Sequence, residues 1–324
     1  MMPSQMKSLR AGNSMTRDAY WLAMHEHCMT LGSFADLLVE GAVKQICITD
    51  AEVTIETASG LVLTWDVTQL REPTTLLVID GEYERAETTL LTQLAARARI
   101  FVDVGANVGY HSLTLAQTEH HLLVCSIEPA SDTRARLLRN IELNSLQERI
   151  TVVAAAVGDE PGAALLYRPD VTGNVGASLA NLHPDETSET ESVVVRLLDD
   201  VVETFVGKER NVLMKMDVEG AEERALKGAS QTLGACFAVV VELSRKWLAE
   251  FGTRATDVVA LMRRAGFTCF AIGVSEAGTP ELRPTVEITN ETSAVNFLFL
   301  HDSVAGTLTQ ELSRVGFSIP LSPS

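Results

Sequence analysis

Four residues at regular spacing follow an apolar run near residue 100 and have the types needed to bind a nucleotide-like ligand. They are Asp103, Gly105, Asn107 and Gly109. Glycine tolerates positive φ and lets the backbone approach a ligand closely. A dinucleotide fingerprint would need a glycine where Asn107 stands, because the backbone there closes on a pyrophosphate. A ligand without a pyrophosphate, whose ammonium and sulfonium groups suit an acidic residue, fits better. The pattern therefore favours S-adenosylmethionine.

Two more acidic residues follow the next predicted strands. Glu128 comes 19 residues after Gly109, a spacing at which a carboxylate accepts hydrogen bonds from both ribose hydroxyls. Asp159 follows the strand predicted over 150–157 and is placed to accept a hydrogen bond from an adenine amine. An aspartate in a turn before Pro161 would show the same pattern, so both interpretations of Asp159 stay open.

A second group of charged residues surrounds a glycine turn near residue 220. Strand alternation places Lys215 and Asp217 on one face, with Glu219 in the turn, and another strand ends at Glu242. Because ligands bind outside the carboxyl ends of parallel strands, we predict that this group orients an acceptor hydroxyl and takes its proton. The carboxylates would equally suit Mg²⁺ with substrate oxygens, and Lys215 would equally suit an ion pair that supports Asp217.

Apolar runs alternate with helical patterns from residue 81 onwards. Near-continuous apolar strands predict an α/β fold with a doubly wound, mostly parallel sheet and helices on both faces. The apolar run 293–300 is expected to close the sheet edge as an antiparallel last strand. The predicted strands after residue 120 are 122–127, 150–157, 211–216, 237–242 and 268–272, and the predicted helices after the glycine loop are 109–118, 131–144, 220–229 and 253–265.

The front of the chain is predicted to be a helical and β-hairpin appendage. Apolar residues at three-to-four spacing indicate one or two helices between residues 16 and 40. A hairpin is expected around Ser59-Gly60 and a further strand over 75–79. Exposed Trp21, Phe34 and Leu37 would need a cover, which suits a substrate lid or a homodimer interface. The predicted organisation is an appendage (1–80), a main domain (81–305) and a C-terminal tail (306–324).

Three histidines are candidate site residues. His183 lies in the long polar stretch 170–191, which is of a length typical of functional lids or disorder, and either contacts a substrate or is solvated. His25 and His27 are two residues apart on a predicted helix, so they do not face one site. The solvated surface is favoured over a metal site for this pair.

Composition and charge narrow the function classes. The chain has 324 residues and a net charge of −17 without clustered Lys and Arg, which argues against nucleic acid and favours a small neutral or cationic substrate. No apolar run approaches the roughly 20 residues of a bilayer span, so no membrane partner is expected. Five scattered cysteines without a Cys-x-x-Cys pair indicate free thiols in a reducing compartment, and hence a cytoplasmic location.

Several of these motifs resemble the FkbM family of S-adenosylmethionine-dependent methyltransferases. The resemblance runs from about residue 81 to residue 242 and rests on Asp103-Val-Gly-Ala-Asn-Val-Gly-Tyr-His, Glu128-Pro129, the helix end Asn140 to Asn144, Lys215-Met-Asp-Val-Glu-Gly-Ala-Glu222, Lys227-Gly228-Ala229 and the ending Asn296-Phe-Leu-Phe. It implies a class I, Rossmann-like methyltransferase fold with a seven-stranded sheet and an antiparallel last strand. It also implies that Asp103, Gly105, Asn107, Gly109 and Glu128 bind the cofactor, and that Asp217, Glu219 and Glu222 lie near the reacting methyl group.

The family resemblance implies O-methylation of a small metabolite such as a sugar, a glycosylated product or a polyketide-type natural product. An amine acceptor would make the protein an N-methyltransferase instead. An NAD-dependent oxidoreductase would use the same sheet and Glu128, but Asn107 and the lack of a Tyr-x-x-x-Lys pair count against it. A catalytically silent binding protein would keep the cofactor pocket, and the intact Asp217 and Glu219 count against that.

Overall fold

The computed structural model describes residue 5 and residues 15–38, 41–69, 71–169, 177–181, 188–275, 278–285 and 296–320. Its centre is an eight-stranded sheet. The strands, in chain order, are β4 (Ile100–Val104), β5 (Leu123–Ile127), β6 (Ile150–Val153), β10 (Val212–Met216), β11 (Cys236–Glu242), β12 (Phe267–Val274), β13 (Pro280–Pro284) and β14 (Asn296–His301). The predicted central strands are therefore present, and all but the one predicted over 150–157 differ only slightly at their ends.

The order of these strands brings the two predicted groups of site residues together. The sheet runs β13-β12-β14-β11-β10-β4-β5-β6. The pairs within β11-β10-β4-β5-β6 are all parallel, so their carboxyl ends share one edge. Strand β14 is antiparallel to both neighbours, as predicted for the last strand. Strand β14 lies inside the sheet, however. The edge position that the sequence predicted for β14 is occupied by β13.

Helices cover both faces of the sheet, and each of the four helices predicted after the glycine loop is present with small changes at its ends. They are α1 (Arg17–Leu37), α2 (Pro73–Ile79), α3 (Arg85–Ala95), α4 (Tyr110–Thr118), α5 (Ser131–Leu143), α6 (Leu198–Val206), α7 (Glu222–Lys227), α8 (Ser230–Ala235), α9 (Arg245–Glu250), α10 (Ala255–Arg264) and α11 (Asp302–Arg314). In α11, Leu308 and Leu312 are buried in the main hydrophobic core. Helix α11 therefore packs as part of the fold.

The predicted strand over 75–79 is wrong, because these residues belong to α2. Their β-branched and apolar types suggested a strand. Pro73 stands at the first turn of the helix, where its fixed φ suits helical geometry. Thr74, Leu77 and Val78 are buried, so tertiary packing outweighs the local β preference.

A small second sheet replaces part of the predicted long loop. Its order is β7-β9-β8, formed by Ala156–Val157, Ser188–Arg196 and Gly162–Pro169. The predicted strand 150–157 is thus two strands, β6 and β7, which belong to different sheets. The predicted loop 170–191 is described only at 177–181 and from 188 onwards, and His183 lies outside the described residues.

The appendage is joined to the main sheet through polar and apolar contacts. Its strands are β1 (Val43–Ile48), β2 (Val53–Thr57) and β3 (Val62–Thr64), and the predicted hairpin is the antiparallel β2-β3 pair. Asn140 of α5 accepts from the Thr64 amide at 2.7 Å and donates to the Val108 carbonyl at 2.8 Å. Ile55 and Leu63 are fully buried in the main core. The hairpin therefore supports the glycine loop from behind.

Helix α1 carries the histidines of the appendage. His25 and His27 are both exposed, which agrees with a position on a solvated surface. Phe34 packs edge-to-face on Trp65 at 5.9 Å between ring centroids, so it is covered within the chain, whereas Trp21 is 63% exposed. In the part of the chain that the structure describes, no helix combines the length and apolar character of a membrane span.

Candidate active site

A cavity of about 920 Å³ opens at the carboxyl ends of β4, β5 and β10. It brings together seven of the predicted site residues: Asp103, Gly105, Asn107, Glu128, Lys215, Asp217 and Glu219. That volume includes open solvent at the mouth of the cavity. The two groups that the sequence placed about 110 residues apart therefore form one site.

The glycine loop (residues 105–109) packs directly on the acidic turn (residues 217–222). Gly105 has φ +80°, and a Cβ atom built there would lie 1.8 Å from the Asp217 carbonyl oxygen. Glycine is therefore required at position 105, both because of the positive φ and because of this close approach. Gly109 also has positive φ, but a Cβ there would lie 2.3 Å from Leu137 and 2.5 Å from Leu113. Gly109 thus serves the packing of α4 against α5 and is not among the residues that line the cavity, so its cofactor contact stays a prediction.

Glu128 is tied to the glycine loop by its carboxylate. The Asn107 amide donates to one oxygen at 2.9 Å and the Ala130 amide to the other at 2.8 Å. Asn107 has φ 50°, a left-handed conformation that asparagine adopts more readily than most residues. Burial raises the pKa of Glu128 to about 7, against the opposing effect of these amide donors. Each carboxylate oxygen keeps acceptor capacity for a ligand hydroxyl.

Asp103 is held by a hydrogen bond from the helix that follows the glycine loop. The Ser112 hydroxyl donates to its Oδ2 at 2.6 Å, and Ser112 lies 2.7 Å from the Ser126 hydroxyl. Burial raises the pKa of Asp103, and the positive charge of Lys215 opposes that effect. Asp103 and Lys215 are direct neighbours across β4 and β10. Asp103 therefore links the cofactor loop to the acidic turn.

Lys215 lies among carboxylates at the rim of the sheet. Its Nζ is 3.2 Å from Asp217 Oδ2 and 3.9 Å from Glu84 Oε2. Burial alone would lower the pKa of Lys215, but the charges of Glu84 and Asp217 outweigh it and raise the pKa. Lys215 is thus a buried ammonium, and it is the ion-pair partner of Asp217 that the sequence allowed for.

Glu242 lies beside this group at the end of β11 but, unlike Asp217, is not among the residues that line the cavity. Oxygens of Glu84, Asp217 and Glu242 all lie within 4.8 Å of one another. The charge of Asp217 and then burial raise the pKa of Glu242 to about 8. Three carboxylates so close together are the kind of group that binds a divalent cation. The Lys215 ammonium already lies against two of them, so the donor set does not fit the Mg²⁺ that the sequence had left open.

The two glutamates of the turn have different surroundings. Glu219 lines the cavity with φ 52°, and burial followed by the charges of Asp217 and Glu242 raises its pKa well above the usual value. Glu222 accepts from the Gly220 amide at 3.0 Å and, through the same oxygen, from the Val218 amide at 3.3 Å. Glu222 therefore fixes the shape of the turn and is not among the residues that line the cavity.

Asp159 is exposed in the turn that follows β7. The cavity wall nearby is formed by Ala155, Ala156 and Val157. The turn interpretation therefore accounts for Asp159, and its contact with an adenine amine stays a prediction that the cavity lining does not support.

Sequence reasoning missed two residues of the cavity wall, Tyr83 and His111, and the neighbouring Glu84, which contacts His111 and Lys215. Tyr83 and His111 line the cavity, and Glu84 Oε2 lies 2.8 Å from His111 Nε2. The segment around Glu84 was read only as the approach to a helix. Its signal was present in the paired Tyr and Glu after Gly81, but nothing in their spacing showed that they would reach Lys215.

Together, the sheet order, the antiparallel inner strand and the cavity at the strand ends define a class I, Rossmann-like methyltransferase fold. The profile of the methyltransferase FkbM domain family matches residues 103–269. The chain belongs to this family. The match covers the glycine loop and the acidic turn, and it begins after Glu84.

Curated relatives cover part of this chain. "Methyltransferase 1" of Beauveria bassiana (strain ARSEF 2860) is 30% identical over 147 residues, which are 39% of this chain and 57% of the relative. "Methyltransferase sdnD" of Sordaria araneosa is 28% identical over 160 residues, 40% of this chain and 60% of the relative. The chain thus spans less than two thirds of the length of these relatives.

Solved structures with a similar fold are distant in sequence. The human methyltransferase 10 domain containing protein is 10% identical, with a TM-score of 0.42 over 76% of this chain and 90% of that one. The O-methyltransferase from Bacillus cereus in complex with SAH is 13% identical, with a TM-score of 0.36 over 67% and 81% of the two chains. Likeness at this level carries no functional argument.

Proposed function

We propose that this protein is an S-adenosylmethionine-dependent methyltransferase that methylates a hydroxyl group of a small metabolite, of the sugar, glycosylated or polyketide type. The observation that carries the proposal is the single cavity in which the glycine loop with Glu128 meets the carboxylates beside Lys215. Membership of the FkbM family supports the reaction class.

The residues present fit the cofactor on chemical grounds. Gly105 lets the glycine loop pack against the Asp217 backbone, and both residues line the cavity. Glu128 offers acceptor capacity for ribose hydroxyls, and Asp103 places a carboxyl group behind the loop. The bound cofactor would supply a methyl group attached to a positively charged sulfur. The cavity wall would favour that charge, because its carboxyl groups outnumber the one ammonium of Lys215.

The acidic turn has the groups that hydroxyl methylation needs. The oxygen–methyl bond forms as the sulfur–methyl bond breaks, the bonding electrons stay on sulfur, and the hydroxyl proton must leave. Asp217, Glu219 and Glu242 are carboxyl groups that accept a hydrogen bond from a hydroxyl and can take that proton. A raised pKa of about 8 makes ionised Glu242 a stronger base than an ordinary glutamate. Positioning supplies most of the acceleration in such a displacement.

A panel of acceptors tests this proposal. The protein would be incubated with S-adenosylmethionine carrying a deuterated methyl group and with matched sets of sugars, polyols, phenols and amines. We expect the label in the product of a hydroxylated acceptor, as a methyl ether that resists acid and is identified by NMR. Label found only on amine nitrogen would favour the N-methyltransferase alternative and overturn O-methylation.

Cofactor affinity is expected to depend on pH through Glu128. Ribose hydroxyls donate to the ionised carboxylate, so binding is favoured above its pKa of about 7 and weakens as the pH falls. Affinity for S-adenosylhomocysteine, measured by calorimetry, should be about tenfold weaker at pH 6 than at pH 8. In Glu128→Gln this difference should disappear while overall affinity falls. A wild-type affinity that is constant over this range would contradict the assigned role.

We also propose a homodimer in which the exposed apolar residues of α1 are covered by a second copy. Trp21, Leu22 and Met29 are each more than 60% exposed, which supports a contact there. Light scattering on the purified protein should give twice the mass of the 35.1 kDa chain. A monomeric mass across the micromolar range would discard this part of the proposal.

A further inference from the structure

Glu84 has an unusual backbone conformation at the edge of the cavity. It precedes the first residue of α3 with φ 41° and ψ 51°, in the left-handed region. A residue with a Cβ atom is disfavoured in this region. Such strain persists only where the surroundings fix the residue, and it is often found at functional sites. The contacts of the Glu84 side chain show what fixes it.

Hydrogen-bond donors approach the Glu84 carboxylate from several elements. His111 Nε2 of α4 lies 2.8 Å from Oε2, and Lys215 Nζ of β10 lies 3.9 Å from the same oxygen. Tyr83 neighbours it in the chain, and burial and then the Glu84 charge raise the pKa of the Tyr83 hydroxyl. Burial would raise the pKa of Glu84 as well, but the Lys215 charge and the His111 hydrogen bond outweigh it and lower that pKa. Glu84 is therefore an anion that lies against polar groups of two other elements, α4 and β10.

The His111 ring is held by the same contact. The ring is 6% exposed, and its centroid lies 6.0 Å from that of Tyr83 and 5.3 Å from that of Tyr110. Its Nδ1 is buried and has no hydrogen-bond partner among the described residues. The Glu84 contact at Nε2 is thus the polar interaction that orients this ring at the cavity wall.

We propose that Glu84 is a positioning residue of the acceptor site, which fixes the Lys215 ammonium and the His111 ring so that Asp217 is held towards the acceptor. The proposal rests on the proposed methyl transfer for its effect on turnover, but the contacts themselves do not depend on it. It extends the site beyond the family match at residues 103–269. Lys215 then reaches Asp217 at 3.2 Å while Glu84 lies 3.9 Å away, so without Glu84 it would lose one of the two carboxylates that fix its position.

Two measurements on Glu84→Gln test this role. The first is a proton–nitrogen NMR spectrum of protein labelled at lysine side chains, in which a buried, ion-paired ammonium exchanges slowly enough to be seen. The Lys215 signal, assigned from its loss in Lys215→Arg, should be present in the wild type and lost or broadened in Glu84→Gln. The control is Glu82→Gln, since Glu82 is an exposed carboxylate whose contact is Arg85 at 3.5 Å.

The second measurement separates positioning from cofactor binding. With an acceptor identified by the panel, kcat should fall about 100-fold in Glu84→Gln, with KM changed less than threefold and S-adenosylhomocysteine affinity changed less than twofold. An unchanged Lys215 signal in Glu84→Gln, or no such signal in the wild type, would overturn the proposal. If the wild type bound no S-adenosylhomocysteine, the proposed function would fail while the NMR result still decided the role of Glu84.

Discussion

Asp217→Asn is expected to lower methyl transfer by about 10²–10⁴-fold, the range that a proton acceptor or its close partner contributes. The change keeps the shape of the side chain but removes its charge at 3.2 Å from Lys215 and within 4.8 Å of Glu242. It also removes the charge that does most to raise the pKa of Glu242. The acceptor hydroxyl would lose both its nearby anion and the environment that makes Glu242 a useful base.

Cofactor affinity should change much less in this variant, because the Glu128 side of the cavity is untouched. Kinetics with saturating cofactor and calorimetry with S-adenosylhomocysteine separate the two effects. The matched control is Asp50→Asn, since Asp50 is exposed in the turn between β1 and β2 of the appendage. Turnover within a factor of three of the wild type would contradict the assigned role of Asp217 in the acceptor site.

Gly105→Ala is expected to abolish measurable cofactor binding and to lower the free energy of unfolding by about 3 kcal/mol or more. The new Cβ would lie 1.8 Å from the Asp217 carbonyl oxygen and 2.9 Å from its carbonyl carbon. These are backbone atoms at the end of a buried strand, so no side chain can move to make room. The positive φ adds roughly 1–2 kcal/mol of conformational strain.

Urea unfolding and calorimetry with S-adenosylhomocysteine measure both effects of this change. Gly162→Ala is the control, because Gly162 has no heavy atom within 4 Å of its Cβ position and no positive φ. The control should keep wild-type stability and affinity. Wild-type affinity in Gly105→Ala would mean that the glycine loop does not form the cofactor surface.

The parts of the site that follow local patterns were predictable from the sequence. A strand that ends at Asp103, a tight turn and a helix give a recognisable change of period, and Glu128 follows at a spacing set by one βα unit. Lys215 and Asp217 were found because strand alternation is local. That both groups meet followed from the rule that parallel strands share their carboxyl edge.

The parts that depend on distant partners were not predictable. Glu84 becomes a site residue only because α3 begins beside β10. A hydrophobic pattern along the chain does not predict that contact. Residues 73–79 form a helix because packing against the core outweighs their β-branched character. Strand β14 lies between β11 and β12, and its apolar sequence cannot distinguish an inner position from an edge.

The measurement that tests the central claim most directly is a thermal-shift panel of the full chain with S-adenosylmethionine, S-adenosylhomocysteine, NAD and NADP. A ligand that binds only the native state stabilises it by about 2.7 kcal/mol at 100 times its dissociation constant. We predict that both adenosyl ligands raise the melting temperature and that neither dinucleotide does, because Asn107 stands where a pyrophosphate loop needs glycine. Stabilisation by NAD alone would contradict the account and favour an oxidoreductase.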